Sequence, residues 1–319
     1  MPTAPFPVSR ELVAVAVAYR DPDNVYIADR VLPRLTPSSP RKEFKYLDYD
    51  AGTFYSVGDN RVGRVSSPKM VDFESSEKTG VALDYGFDST IPHADIREAQ
   101  ANGYNIKSRR IEFLTQMNKI AREKRVADLV FAAGSYPVGF KVQLAGGDKW
   151  SAPATSDPIG DINAALDAAL MPVNRLVFGQ VSWRALSTHP NILKAVNHND
   201  GDAGNATKQA VADLFGVKEV LVGAGRINSA KPGQAAVYTR LWGSHCALLH
   251  INETADNTAG VTFGYTYQVN ASGSGSAIVA GEIDDPKIGL EGATIVRSGE
   301  IVKEIIVAPM AGYFIQDAA

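Results

Sequence analysis

The chain has 319 residues, 45% of them hydrophobic and 21% charged, a balance that rules out a disordered or fibrous protein and allows one large domain or two smaller ones. A formal charge of −3 and a pI near 6.0 give no general electrostatic footprint for nucleic acid or an anionic membrane, so any contact with DNA has to be local.

Prolines at positions 2, 5, 7, 22, 33, 37 and 40 interrupt the first 55 residues, which therefore cannot form one continuous helix. The piece 25–35 is too short to carry its own core, and this stretch reads as an extended arm. Its apolar run LVAVAVAY, residues 12–19, falls far short of the roughly 20 residues of a membrane helix. Prolines and the pair Arg10 and Glu11 precede that run instead of a basic segment leading to a cleavage site, so secretion is not indicated.

Residues 62–92 alternate with a period of two. Val81, Leu83, Tyr85 and Phe87 share one face, and on the preceding arm Val71 and Phe73 alternate with Asp72 and Glu74, which predicts a two-stranded hairpin. A lone hairpin buries too little apolar surface to offset its ordering entropy, so this one needs a surface to pack against. From Tyr104 to Ala133 there is neither Gly nor Pro, and Phe113, Leu114, Met117, Ile120 and Ala121 recur at helical spacing, with Arg109, Arg110, Lys119 and Arg122 largely off that stripe. The pattern predicts a long amphipathic helix.

In SDPIGDINAALDAALMP, Asp157 is placed to cap a helix, Pro158 suits its first turn and Pro172 follows its end. Asp157, Asp161 and Asp167 are explained by that cap and by solvent-facing positions, without a metal or acid/base role. RLVFGQ at 175–180 reads as a strand, and VSWRALSTHPNILKAV as a helix broken near Pro190. The loop NHNDGDAGN fails the register of a calcium hand, since counting from Asp200 puts Asn205 sixth and Val211 twelfth. Helix, Gly216 stop and a strand at 217–222 follow. Gly223 and Gly225 open a dinucleotide fingerprint, but Asn228 and the pair Pro232-Gly233 stand where its helix should begin.

From Arg240 onward the pattern is mostly strands, LWGSHCALLHI, VTFGYTYQV and TIVRSGEIVKEIIVAP, with Ser298-Gly299 predicting a hairpin turn in the last. Cys246 is the single cysteine, which excludes an internal disulfide and suits a reducing compartment. His245 beside it points to the other face of a strand, so Cys246 reads as a buried apolar residue and not as a nucleophile. The five histidines, 93, 189, 198, 245 and 250, are scattered, and no Ser/His/Asp or Cys/His set has catalytic spacing.

The order of these pieces is informative. AYRDPDNVYIADRVLP, FKYLDYD and the R-x-G-R segment ending in LDYGFDSTIP resemble the N-terminal half of the major capsid proteins of tailed bacteriophages. SDPIGDINAAL, VSWRALSTHPNILKAV, VADLFGVKEVLVGAGRINSAKPG and VKEIIVAPMAGYFI are similar to their second half, so the resemblance spans nearly the whole chain. It implies an α+β fold, the tailed-phage and herpesvirus capsid fold first typed on phage Hong Kong ninety-seven and shared with encapsulins. The parts would be an N-terminal arm at 1–55, an extended loop at 56–92, and a peripheral domain with spine helix at 93–172. An axial domain at 173–280 and C-terminal strands at 281–319, completing the peripheral domain, would follow.

The resemblance implies a structural protein without enzymatic activity, cofactor or metal, assembling with itself into the hexamers and pentamers of an icosahedral head around double-stranded DNA held without sequence-specific binding. The hairpin would then pack on the neighbouring subunit, with Arg61, Arg64, Lys69 and Phe73 as the contact residues. Some relatives carry a helical scaffolding region ahead of the arm. Here Met1 stands a few residues before it, which implies a separate scaffold protein, together with a portal and room for a decoration protein. Assembly would take place in the cytoplasm of a bacterial host, away from any membrane. The founding member of the fold joins a Lys of its extended loop to an Asn of another subunit. Lys69 in SSPKM is the comparable residue, but Ser66, Ser67 and Pro68 give it no apolar pocket, so no cross-link is expected. The rival readings are an encapsulin-like shell around protein cargo and a cytosolic α/β enzyme.

Overall fold

The computed structural model describes residues 6–19, 26–35, 41–49, 59–64, 66–68, 70, 75–197, 204–231, 233–254, 261–270 and 277–319. In chain order the elements are α1 (Arg10–Ala18), α2 (Ala28–Val31), β1 (Glu43–Tyr49), β2 (Ser75–Val81), β3 (Leu83–Pro92), α3 (His93–Ala101) and α4 (Ile106–Val130). Next come β4 (Lys141–Gln143), α5 (Pro158–Ala168), β5 (Arg175–Gly179), α6 (Gln180–Ser187), α7 (Pro190–Asn197), α8 (Lys208–Phe215) and β6 (Glu219–Gly223). The chain ends with β7 (Arg226–Asn228), β8 (Tyr238–Arg240), β9 (Cys246–Leu249), β10 (Gly264–Gln268), β11 (Ile278–Asp285), β12 (Ala293–Ile306) and β13 (Gly312–Gln316).

Two sheets organise these elements. In the first, the 14-residue β12 is central, with β3 along one side and β11 and β10 end to end along the other, all antiparallel. Leu12, Val13 and Ala16 of α1 and Ile111 and Leu114 of α4 pack on it against Ile91, Ala280 and Val296. The second sheet is mixed, in the order β4-β13-β9-β5-β6. Its β5 and β9 are buried throughout, as short apolar runs covered on both faces should be. One face, with Leu176, Phe178, Cys246 and Leu248, lies under the helices of the second half. The other, with Val177, Leu221, Ala247, Leu249 and Phe314, receives Val126, Ala127 and Val130 from the far end of α4 and Ile27, Val31 and Leu32 from the arm. Helix α4, at 25 residues about 38 Å long, thus serves both cores and joins them. Asn105 starts it, its side chain accepting from the N–H groups of Lys107 and Ser108 at 3.0 and 3.2 Å.

Five expectations need correction. The arms of the expected hairpin at 62–92 do not pair with each other: β2 pairs with β1 and β3 pairs with β12, the chain changing sheets at Ala82. Ser298-Gly299 makes no turn but lies inside β12, because a Cβ at Gly299 would stand 2.6 Å from the Tyr85 carbonyl oxygen, so the glycine is there for close strand approach. On α4 the buried stripe runs through Ile111, Leu114, Asn118, Arg122 and Val126, leaving Phe113 exposed and Arg122 inside. Asp157 occupies the cap position of α5 without a cap hydrogen bond; its carboxylate leans over Gly160, where a Cβ would be 2.5 Å from Oδ2. Asp161 does not simply face solvent, for it accepts a hydrogen bond from Trp150 Nε1 at 2.9 Å.

The two glycines after β6 serve packing. A Cβ at Gly223 would stand 2.0 Å from Trp242 Cδ1, and strand β7 follows, with no phosphate-binding helix. Gly216 ends α8 in the left-handed conformation, at φ 66°, as a helix stop should.

Candidate assembly surface

The surface begins with the way the arm is fixed. Residues 27–34 lie against α4, where the buried Glu123 carboxylate accepts from the N–H groups of Ile27 and Ala28 at 2.9 and 2.8 Å and from Trp242 Nε1. Beside it Arg122 pairs with Asp29 and donates to Thr266 Oγ1 at 3.0 Å. Arg34 reaches Asp29 at 2.9 Å and Glu300 at 2.7 Å, and Arg125 reaches Glu304 at 2.9 Å. Burial alone would raise the Glu300 carboxyl, but Arg34, Arg122 and Arg125 outweigh it and hold it low. Removing one member of such a group would strand a buried charge, so the arm is clamped as a unit.

Asp29 gives this clamp an acid limit. Burial pushes its carboxyl up, and Arg122 and Arg34 outweigh that, leaving it at about 2. A carboxyl depressed on folding contributes stability above its unfolded value of about 3.9 and loses it as pH falls towards 2. The side chain is 59% exposed, so screening limits the contribution to about 1 kcal/mol. Asp29→Asn is therefore expected to lower stability by about 1 kcal/mol at pH 7, with the difference from the parent vanishing near pH 2 in urea denaturation.

Beyond the clamp come the strands of a ribbon. The Leu35 N–H donates to the Thr266 carbonyl at 2.8 Å, and β1 then pairs with β2 from Glu43 opposite Val81 to Tyr49 opposite Ser75. Among the described residues, the packing of this hairpin on its own subunit is at its root. Phe44 stacks on Tyr267 with ring centroids 3.7 Å apart, a fit that the bare Gly80 permits, since a Cβ there would lie 2.5 Å from Phe44 Cζ. Tyr267 donates its hydroxyl to the Arg41 carbonyl at 2.9 Å, and Lys42 pairs with Asp84. Further out Glu77, Lys78 and Thr79 are exposed, and Lys45 pairs with Glu77 across the ribbon at 2.9 Å.

Of the expected contact residues, Arg61 and Arg64 lie in the stretch between β1 and β2 and are exposed; among the described residues neither guanidinium has an ion-pair partner. Lys69 and Phe73 lie outside the described residues, as do Val71 and most of the loop NHNDGDAGN. The structure adds an exposed apolar strip that the sequence reading assigned to a packed hairpin face. Val81, Leu83 and Phe87 are 47%, 48% and 38% exposed, whereas Ile91 further along β3 is buried with Ile111 and Leu114 of α4. Tyr85 on the same face is covered by the Arg125 guanidinium, 3.7 Å from its ring centroid.

Among the described residues no other arrangement suggests chemistry. Cys246 is fully buried in β9, and burial pushes its thiol far up, away from the thiolate a nucleophile needs. His245 instead accepts the Asp317 N–H at 2.9 Å through Nδ1. Among the described residues no group of three His, Cys, Asp or Glu side chains is placed to hold a metal ion, and no helix is long and apolar enough to cross a membrane.

No family model matches the chain. It is 39% identical over 318 residues to the major capsid protein of Pseudomonas phage JBD67, covering 100% of this chain and 99% of that one. Among solved structures it is similar to a phage-related protein from Bordetella bronchiseptica, with a TM-score of 0.74 at 21% identity, covering 99% and 98% of the two chains. The capsid structure of cyanophage P-SCSP1u follows with a TM-score of 0.56 at 12% identity, over 94% of this chain and 89% of that one. The structural likenesses establish the α+β head fold and the full-length relative establishes the kinship: this chain belongs to the major capsid proteins of tailed bacteriophages, structural proteins of the virion shell and not enzymes.

Proposed function

We propose that copies of this chain close into hexamers and pentamers of an icosahedral head around double-stranded DNA, with the β1–β2 hairpin lying on the neighbouring subunit. The observation that carries this reading is the hairpin rooted by Phe44 on Tyr267, while among the described residues its outer strands contribute nothing to a buried cluster. A second subunit supplies the missing surface, and many such modest contacts sum to a stable shell. Arg61, Arg64, Lys69 and Phe73 are the contact residues of the loop, and the strip Val81, Leu83 and Phe87 extends the surface to its root. In this reading residues 1–55 are the arm, 56–92 the extended loop, 93–172 and 281–319 the peripheral domain, and 173–280 the axial domain. A separate scaffold protein and a portal take part in assembly in the bacterial cytoplasm, and the finished shell offers a surface to a decoration protein.

Low net charge suits a container that holds DNA without gripping it, since strong phosphate binding would resist the genome's exit. Electron microscopy of the purified protein tests the reading: DNA-sized heads are expected, whereas small cargo shells would mean an encapsulin-like compartment and discrete oligomers would defeat the proposal. The shell is held without covalent links. Boiled particles on a denaturing gel are expected to run at the monomer mass of 34.1 kDa, and a ladder of multimers that disappears in Lys69→Ala would show the opposite.

A further inference from the structure

The small ribbon β7–β8 places like charges where a ribbon tolerates them least. Its register sets Arg226 directly opposite Arg240 and Asn228 opposite Tyr238, so these four side chains project from one face. Arg184 on α6 reaches the same place. Burial lowers the pKa of Arg240, and Arg226 and Arg184 lower it further by repulsion. Among the described residues no carboxylate answers these three guanidinium groups; Arg240 donates to the Ala224 carbonyl at 3.3 Å, which leaves the charge uncompensated. Asn228 is committed as well, its side-chain oxygen accepting from the N–H groups of Ala230 and Val237 at 3.1 and 2.9 Å.

The setting of these arginines identifies the kind of surface they meet. Tyr238, Val237 and Val181 are 68%, 54% and 46% exposed. Val181, Arg184 and Arg240 line one cleft of about 450 Å³. Arginine and tyrosine on an exposed apolar ground are the make-up of a protein interface, whereas a phosphate backbone offers nothing to the valines. A complementary patch exists on the same chain. Asp161 accepts from Trp150 Nε1 at 2.9 Å and lies in the first turn of α5 behind its cap residue Asp157, and Thr155 Oγ1 donates to the Gly147 carbonyl, which brings Asp148 alongside; burial pushes the Asp161 carboxyl up, and Asp157 and Asp148 add to it by repulsion. Among the described residues no lysine or arginine pairs with them. Two different and complementary patches on one chain are what a head-to-tail contact within a ring requires.

We propose that Arg184, Arg226 and Arg240 seat on the carboxylates around Asp157 of a neighbouring copy of this chain, forming an ion-pair contact within the ring. The proposal rests on the shell reading above and adds the residues that join ring neighbours away from the extended loop.

The test uses the full-length chain with Arg226→Gln and Arg240→Gln together. The unassembled variant is expected to melt no lower than the parent, since a like-charge pair has been removed, while its particle yield by sedimentation falls about tenfold or more. Asp148→Asn with Asp157→Asn should give the same loss. Arg184→Gln, at an exposed helix position, repeats the test if the ribbon variant misfolds. Empty particles at parental yield from the arginine variants would overturn the contact. So would normal empty particles that fail only to retain DNA, since the partner would then be phosphate. If the parent itself forms no particles, the shell reading fails, and the contact is judged on the parent's smaller oligomers: their dispersal in the variant supports it, and unchanged sedimentation overturns it.

Discussion

Replacing residues 50–74 by an Asn-Gly turn is expected to leave a folded subunit that forms no shells. Tyr49 and Ser75 are the outermost pair of the described β1–β2 ribbon, so a two-residue turn closes the strands without disturbing their register. Everything that roots the ribbon remains, from the Phe44–Tyr267 stack to the Lys42–Asp84 pair. None of the residues removed belongs to the four buried clusters that form the described core. Melting followed by circular dichroism should therefore change by no more than about 1 kcal/mol in stability, the usual range for changes away from packed features. Particle yield should fall by orders of magnitude, because a loss at one contact is repeated at every subunit of the shell. Normal particles from the shortened chain would remove the extended loop from the assembly surface, and an unfolded product would place it in the subunit's own core.

The largest stability loss from one substitution is expected at Glu123. Its carboxylate accepts three buried donors, Ile27 N–H, Ala28 N–H and Trp242 Nε1–H, and thereby binds the arm, the long helix and the second sheet at one point. Glu123→Ala leaves all three unanswered, at about 1–3 kcal/mol for each buried group without a partner, and it also removes the nearest negative charge on the helix from beside the buried Arg122. Allowing for partial relaxation, a loss of about 4 kcal/mol is expected in urea denaturation. Glu123→Gln keeps the shape but turns an NH2 towards a donor, and should lose about half as much. A change below about 1 kcal/mol in the alanine variant would show that the arm is held by its apolar residues Ile27, Val31 and Leu32 alone.

Local features of the fold were legible because local chemistry dictates them. The stretch without Gly or Pro became α4, the Pro190 break separated α6 from α7, and the apolar run at Cys246 became the buried β9. Long-range pairing was not legible. Nothing in the alternation of β3 says whether its partner is the preceding arm or a strand some 200 residues later, since both supply the same period of two. Ser298-Gly299 misled because a glycine that admits a neighbouring strand and a glycine that turns a hairpin look alike in sequence. Arg122 and Glu123 were missed because the apolar stripe was started at Phe113. Started at Ile111, steps of three and four lead through Leu114 and Asn118 to Arg122 and Val126, which carries a charge into the core and flags the clamp. For the assembly surface, the family resemblance suggested Arg61 and Arg64, whereas the exposure of Leu83 and Phe87 depends on long-range packing that an alternating pattern does not report.

The strand that leaves the extended loop also determines how the subunit bears load. β2 continues through Ala82 into β3, whose ten residues pair with β12 along their whole length. A pull on the loop along that direction slides β3 against β12, so the ladder bonds are stressed in parallel instead of opening one after another from an end. The other root meets resistance too, through Arg34 bridged to Thr266 on β10, a strand hydrogen-bonded to the same β12. In the proposed shell, with DNA pressing outward and neighbouring subunits tugging on the loop, both tethers would converge on one central strand, and the subunit would meet tension as a lap joint does, in shear.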